Sequence, residues 1–143
     1  MTVAQTATAS TIDPITLEVL WNRLLSVCSE QQAALMRTAF STIVRESQDL
    51  ACGVFDTRGN MVAQSETGTP GHINAMATGV RHFLKAYPPE TLAPGDVLLT
   101  NDPWMTAGQI NDITILTPVF RNDRPVAFFA NTCLLYTSDA ADE

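Results

Sequence analysis

Asp102 and Asp112, each preceded by an asparagine, stand ten positions apart in the segment from Gly95 to Phe120, and their spacing is suited to chemistry. Two carboxylates on one loop can converge on a divalent cation, with Asn101, Gln109 and Asn111 adding neutral oxygens around them. The same Asn-Asp pairs can instead cap turns through side-chain to backbone hydrogen bonds. Pro103 holds the residue before it extended or in a turn, and Gly108 lies inside the loop. Of the two histidines, His72 follows Pro70-Gly71 at the start of a helical pattern. Its ring either enters a cleft as acid, base or ligand, or bonds to local backbone. His82 reads as a helix-surface residue. Arg45-Glu46 reads as a surface ion pair, with binding of an anionic substrate as the alternative.

Several chemistries are missing. The sequence has no Gly-x-x-x-x-Gly-Lys phosphate loop, no nucleophile elbow and no cysteine with a matching histidine pattern, so any use of ATP must reside elsewhere. The 143 residues carry 8 basic and 15 acidic side chains, a net charge of -7, and no basic cluster. Nucleic acid and anionic membrane surfaces are therefore excluded as expected partners. No apolar run reaches the roughly 18 residues of a membrane-spanning helix. Met1 to Thr11 is small and polar with no secretory core, which predicts a disordered start and a cytoplasmic protein. Cys28, Cys52 and Cys133 are odd in number and widely spaced, and Cys28 and Cys52 read as small buried apolar residues.

The elements that must position these residues follow from periodicity and punctuation. Asp13 can cap and Pro14 can open a helix, and apolar residues from Leu17 to Ala39 at three- and four-residue steps carry it to about Ser41. Leu50 to Phe55 and Met61 to Gln64 read as a hairpin around Asp56-Thr57-Arg58-Gly59-Asn60. His72 to Ala86 returns to helical spacing, and Val97 to Thr100, Ile113 to Phe120 and Pro125 to Ala130 read as three further strands. The expected fold class is α+β: a mixed, mainly antiparallel sheet with a long N-terminal helix and a second helix, forming part of a larger domain.

Several of these segments together resemble the hydantoinase B / 5-oxoprolinase family. They are Asp13-Pro14-Ile15-Thr16-Leu17-Glu18-Val19-Leu20-Trp21-Asn22-Arg23-Leu24, Arg37 to Ser41, Val54 to Gln64, Pro94-Gly95-Asp96-Val97, Asn101-Asp102-Pro103 and Asn111-Asp112-Ile113-Thr114. The resemblance spans residues 12–132. It implies a B-type subunit of an ATP-dependent hydrolase that opens cyclic amides such as hydantoins or 5-oxoproline, with ketone carboxylases as relatives. It further implies a hydantoinase A type partner that binds ATP and activates the substrate, and a divalent metal at the B-type site. On that basis Asp102 and Asp112 are expected metal ligands and His72 the catalytic residue, supported by Asn101, Gln109 and Asn111. Where the family often has a histidine three residues before the second aspartate, this chain has Gln109.

The family also continues differently at the far end. The string from Cys133 to Glu143 resembles translated adapter sequence, so residues 133–143 are expected to be a non-native tail on an N-terminal fragment that is inactive alone. Two alternatives remain: a subunit of an ATP-dependent ketone carboxylase, and a truncated assembly module that catalyses nothing.

Overall fold

In the computed structural model residues 12–134 are described. The expectations for residues 1–11 and 135–143 lie outside the described residues. Helix α1 (Pro14–Thr38) starts as its sequence predicts: the Asp13 carboxylate accepts the Thr16 N–H at 3.0 Å, and Pro14 takes the first position, where no N–H is needed. It ends three residues short of Ser41 because Ala39 turns extended while its N–H closes the last turn on the Leu35 carbonyl. A π-helical turn over Ile43–Ser47 follows, which the spacing did not predict, and it ends at Gln48 with a left-handed φ of 53°.

Strands β1 (Leu50–Phe55) and β2 (Met61–Gln64) form the expected hairpin. Its turn is held by the Asp56 carboxylate, which accepts the N–H groups of Arg58 and Asn60. Helix α2 (Pro70–Ala86) comes next, then a 3-10 turn at Pro89–Thr91 and strands β3 (Leu98–Thr100), β4 (Asp112–Arg121) and β5 (Arg124–Leu134). The five strands make one sheet in the order β2-β1-β5-β4-β3 with every pairing antiparallel, an α+β fold. β5 is longer than its apolar run suggested: Cys133 lies opposite both Leu50 and Ile113, and Cys133 and Leu134 are buried.

β1 is buried along its whole length because a helix covers each face. Leu50, Cys52 and Val54 face α1 and the π-helical turn, meeting Leu24, Leu25, Cys28, Leu35, Met36 and Val44. Ala51 and Phe55 face α2, where they join Met76, Val80, Phe83, Leu116, Phe128 and Ala130. Burying each large side chain in such a layer stabilises by about 1.5–3 kcal/mol. α1 joins this packing from Leu24 onward. Its first half leaves Ile15 76%, Leu17 55% and Trp21 46% exposed. Among the described residues no helix is long and apolar enough to cross a membrane.

Two glycines allow a close approach that a side chain would block. Gly68 has φ 141°, and a Cβ there would lie 2.6 Å from the Leu50 carbonyl oxygen, the same oxygen that accepts the Thr69 N–H at 3.0 Å. The start of α2 is thereby pinned to the start of β1. At Gly79 a Cβ would come within 2.8 Å of the Thr106 methyl, so the β3–β4 loop rests on α2 where that helix lacks a side chain.

The layered core predicts a contrast between two phenylalanines. Phe55→Ala removes a fully buried ring and is expected to cost about 3–5 kcal/mol in urea unfolding. Phe40→Ala, at a fully exposed ring, is expected to stay within about 0.5 kcal/mol of the parent.

Candidate active site

Strand parity and sheet order decide which polar residues meet. Asp112 opens β4 and shares a face with Thr114 and Leu116, the face covered by α2. Asp49, directly before β1, has the parity of Ala51 and Phe55 and so points to that face too. The end of β5 lies between them: Leu134 pairs with Asp112, and its N–H donates to the Asp49 carbonyl at 3.2 Å. His72, third residue of α2, reaches down onto this row. Its Nε2 lies 3.2 Å from Asp112 Oδ2, and its Nδ1 lies 3.4 Å from Asp49 Oδ1. The imidazole thus bridges two carboxylates, one deeply buried and one a quarter exposed.

The surroundings tighten this arrangement. The Thr69 hydroxyl donates to Asp49 Oδ1 at 2.6 Å. Thr114 and Thr132, buried on the same face, satisfy each other through a 2.8 Å hydroxyl contact. Burial raises the pKa of Asp112 above the ordinary aspartate value; the nearby His72 opposes that shift and the charge of Asp49 adds to it. Asp112 Oδ1 and His72 Nδ1 are buried atoms without a hydrogen-bond partner. An imidazole backed by a buried carboxylate can take up and return a proton, which is the elementary step of acid–base catalysis.

The sequence-predicted residues divide accordingly. His72 and Asp112 are brought together, and His72 bonds to a side chain in a buried position rather than to local backbone. Asp102 is occupied within its own loop: its Oδ1 accepts the Trp104 N–H at 2.9 Å, and its carbonyl accepts from Met105 and Thr106. Asn101 closes the neck of the loop by donating to the Ile110 carbonyl at 3.2 Å. Gln109 is exposed and its carbonyl accepts the Asp112 N–H, while Asn111 is half-buried. Among the described residues no group of three or more His, Cys, Asp and Glu side chains is placed to hold a metal ion.

His82 lies exposed on α2. Arg45 and Glu46 are exposed in the π-helical turn but do not pair; among the described residues both ion pairs involve His72. Asp49 was missed by sequence reasoning, since nothing near it in the chain announces a partner. The one available signal was an aspartate standing directly before a six-residue apolar strand. Cys28 and Cys52 are buried small residues as expected. Burial above all pushes the Cys52 thiol up to about 12 and the Cys133 thiol to about 11, the latter helped by the charges of Asp112 and Asp49. Both are inert at neutral pH.

Comparison with known proteins places the chain among relatives. A family model described as hydantoinase B/oxoprolinase matches residues 13–136. An uncharacterized protein of Schizosaccharomyces pombe is 41% identical over 124 residues, covering 87% of this chain and 9% of the relative. A 5-oxoprolinase of Saccharomyces cerevisiae is 35% identical over 118 residues, covering 82% and 9%. A putative B-type subunit of a D-/L-hydantoinase from a Pseudomonas strain is 34% identical over 124 residues, covering 85% and 21%. The chain therefore spans less than a quarter of the length of each of these relatives. Among solved structures, an ATP-dependent caprolactamase from Pseudomonas jessenii aligns with a TM-score of 0.74 at 26% identity, over 88% of this chain and 21% of that one. A nucleotide-free acetone carboxylase aligns with a TM-score of 0.75 at 20% identity, over 85% and 16%, which shows a shared fold.

The burial of Asp112 sets a pH dependence for the metal-free chain. A carboxyl whose folded pKa is raised contributes stability that is full below the unfolded value of 3.8 and is lost as pH rises through the folded pKa. Asp112→Asn removes that loss. Urea melts in the presence of a chelator are expected to show the variant gaining on the parent as pH rises from below 3.8 to neutrality. A difference independent of pH would refute the assignment.

Proposed function

Since the chain belongs to the hydantoinase B/oxoprolinase family, we propose that it is part of the B-type subunit of an ATP-dependent hydrolase that opens small cyclic amides of the hydantoin or 5-oxoproline type. The observation that carries this reading to the residues is the buried contact between His72 and Asp112 at 3.2 Å. A hydantoinase A type partner would bind ATP and phosphorylate the amide oxygen, which makes the amide carbon open to attack by water. The sequence supports that division of labour, since it holds no phosphate loop of its own.

In this reading a ring nitrogen of His72 takes the proton of the attacking water and returns it to the amide nitrogen as the C–N bond breaks, Asp112 stabilises the imidazolium formed between those steps, and the acyl phosphate left behind is hydrolysed by a second water to carboxylate and phosphate. The surrounding α2 and sheet hold the ring in a site from which bulk water is largely excluded, where such charge stabilisation is strong.

The donor set fits a divalent cation in part. Asp112 Oδ1 is buried and unpartnered, an atom that would suit a cation, whereas Asp102 spends one oxygen on Trp104 and shapes the loop. We assign Asp112 as the ligand supplied by the described residues, the others belonging to the remainder of the longer protein. When bound, such a cation polarises a carbonyl or acidifies a water.

The test is a graft. Placed in the corresponding stretch of the Pseudomonas hydantoinase B-type subunit and co-expressed with its ATP-binding partner, this chain is expected to support ATP-dependent ring opening. His72→Asn in that context is expected to lower kcat by about 10²- to 10⁴-fold with a smaller change in KM. The ungrafted chain is expected to turn nothing over. Full kcat in the His72 variant, or ring opening by the chain alone, would sink the proposal.

A further inference from the structure

Helix α1 is built in two unlike halves. From Leu24 onward one stripe of it lies on the sheet. The half before that, residues 14–23, has only Glu18 and Arg23 as charged residues, and its large apolar side chains are not confined to one side. At about 100° per residue, Leu17 and Trp21 continue the stripe of Leu24 and Cys28, whereas Ile15 and Val19 lie on the far side of the helix. Leu17 and Trp21 are 55% and 46% exposed although they prolong the core stripe, and Ile15 and Val19 are 76% and 53% exposed away from it. An apolar groove of about 480 Å³ runs beside Pro14, Leu17, Glu18 and Trp21. A second, of about 310 Å³, is lined by Trp21 and Leu25 of α1 and by the edge strand β2. A surface helix keeps one polar face toward water, and a helix that is apolar on all sides belongs in an interior.

We propose that residues 14–23 form a strut enclosed by an apolar segment of the same, longer B-type polypeptide. The chain spans 9% of the Saccharomyces cerevisiae 5-oxoprolinase and 21% of the Pseudomonas hydantoinase B-type subunit, so most of each relative lies outside the matched stretch and is available to cover the helix. The two-sided pattern favours this occupant over the others. A two-fold contact with a second copy sets one side of the helix against its counterpart and leaves the opposite stripe in water. A separate subunit docking from solvent likewise meets one side. A polypeptide folded around the helix covers Leu17 and Trp21 on one side and Ile15 and Val19 on the other. The inference rests on membership of the family and makes no use of the reading of His72.

The experiment is thiol labelling at Ile15→Cys with a maleimide, followed by mass spectrometry of the tagged peptide. Cys28, Cys52 and Cys133 are buried, so the introduced thiol is the fast-reacting one in the 143-residue chain. It is expected to label rapidly there at every protein concentration. In the graft into the Pseudomonas subunit, without the ATP-binding partner, labelling is expected to slow by about tenfold or more. Amide hydrogen exchange supplies a readout that needs neither substitution nor graft: the matching helix of the unmodified Pseudomonas subunit is expected to show protection factors about tenfold or more above those of residues 14–23 in the isolated chain. Protection that appears only once the ATP-binding subunit is added assigns the surface to that partner. Protection that grows with the concentration of the isolated chain assigns it to a second copy, and rapid labelling and exchange throughout leave it as plain surface. Each of these three results overturns the proposal. Neither readout needs turnover, so a protected graft that opens no ring would reject the proposed function and leave the strut standing, and an unprotected graft with full turnover would do the reverse.

Discussion

The burial of β1 from both sides is the constraint on which the remaining structure depends. A strand with apolar side chains on alternate faces cannot sit at a solvated surface, so one helix must cover each face of the sheet. α1 takes the face of Leu50, Cys52 and Val54, and α2 takes that of Ala51 and Phe55. Once α2 is committed to that side and pinned at Thr69, its third residue has one place to go. His72 arrives over the ends of β1, β5 and β4, where two aspartates share its face.

The site works against the stability of the fold that holds it. Asp112 is 1% exposed, and burial penalises its charged form more than the neighbouring imidazole offsets. Two of its neighbourhood's buried polar atoms lack hydrogen-bond partners, and Gln48 sits in a backbone conformation that costs of order 1 kcal/mol. Unpaired polar atoms and backbone strain of this kind concentrate where a structure is built for binding or chemistry. The threonine pair at positions 114 and 132 shows the contrast: equally buried and on the same face, it satisfies itself and bears no strain.

Local patterns were legible and long-range meetings were not. The caps at Asp13 and Pro14, the Asp56 turn and the apolar spacing of both helices place nearly every element, because each depends on residues a few positions apart. The π-helical turn escaped because Ile43–Ser47 carries no distinct spacing. His72 and Asp112 were visible as residue types, but their contact depends on the order β1-β5-β4, which no periodicity encodes. Asp49 was hidden for the same reason. Asp102 drew notice as a possible ligand, and one of its carboxylate oxygens accepts a hydrogen bond within the turn, as the capping reading of an Asn-Asp pair expects.

The sheet order has a kinetic consequence. The β1–β2 and β4–β5 hairpins close over short turns and can form early, each on its own. The seam between β1 and β5 joins Leu50 to Cys133, 83 positions further along the chain. Until that seam shuts, β1 has an open edge, and Asp49 and Asp112 belong to separate pieces. Closing so long a loop comes late and slows folding, so the residues of the site meet only when the whole unit is complete. Each partly folded form lacks the site altogether.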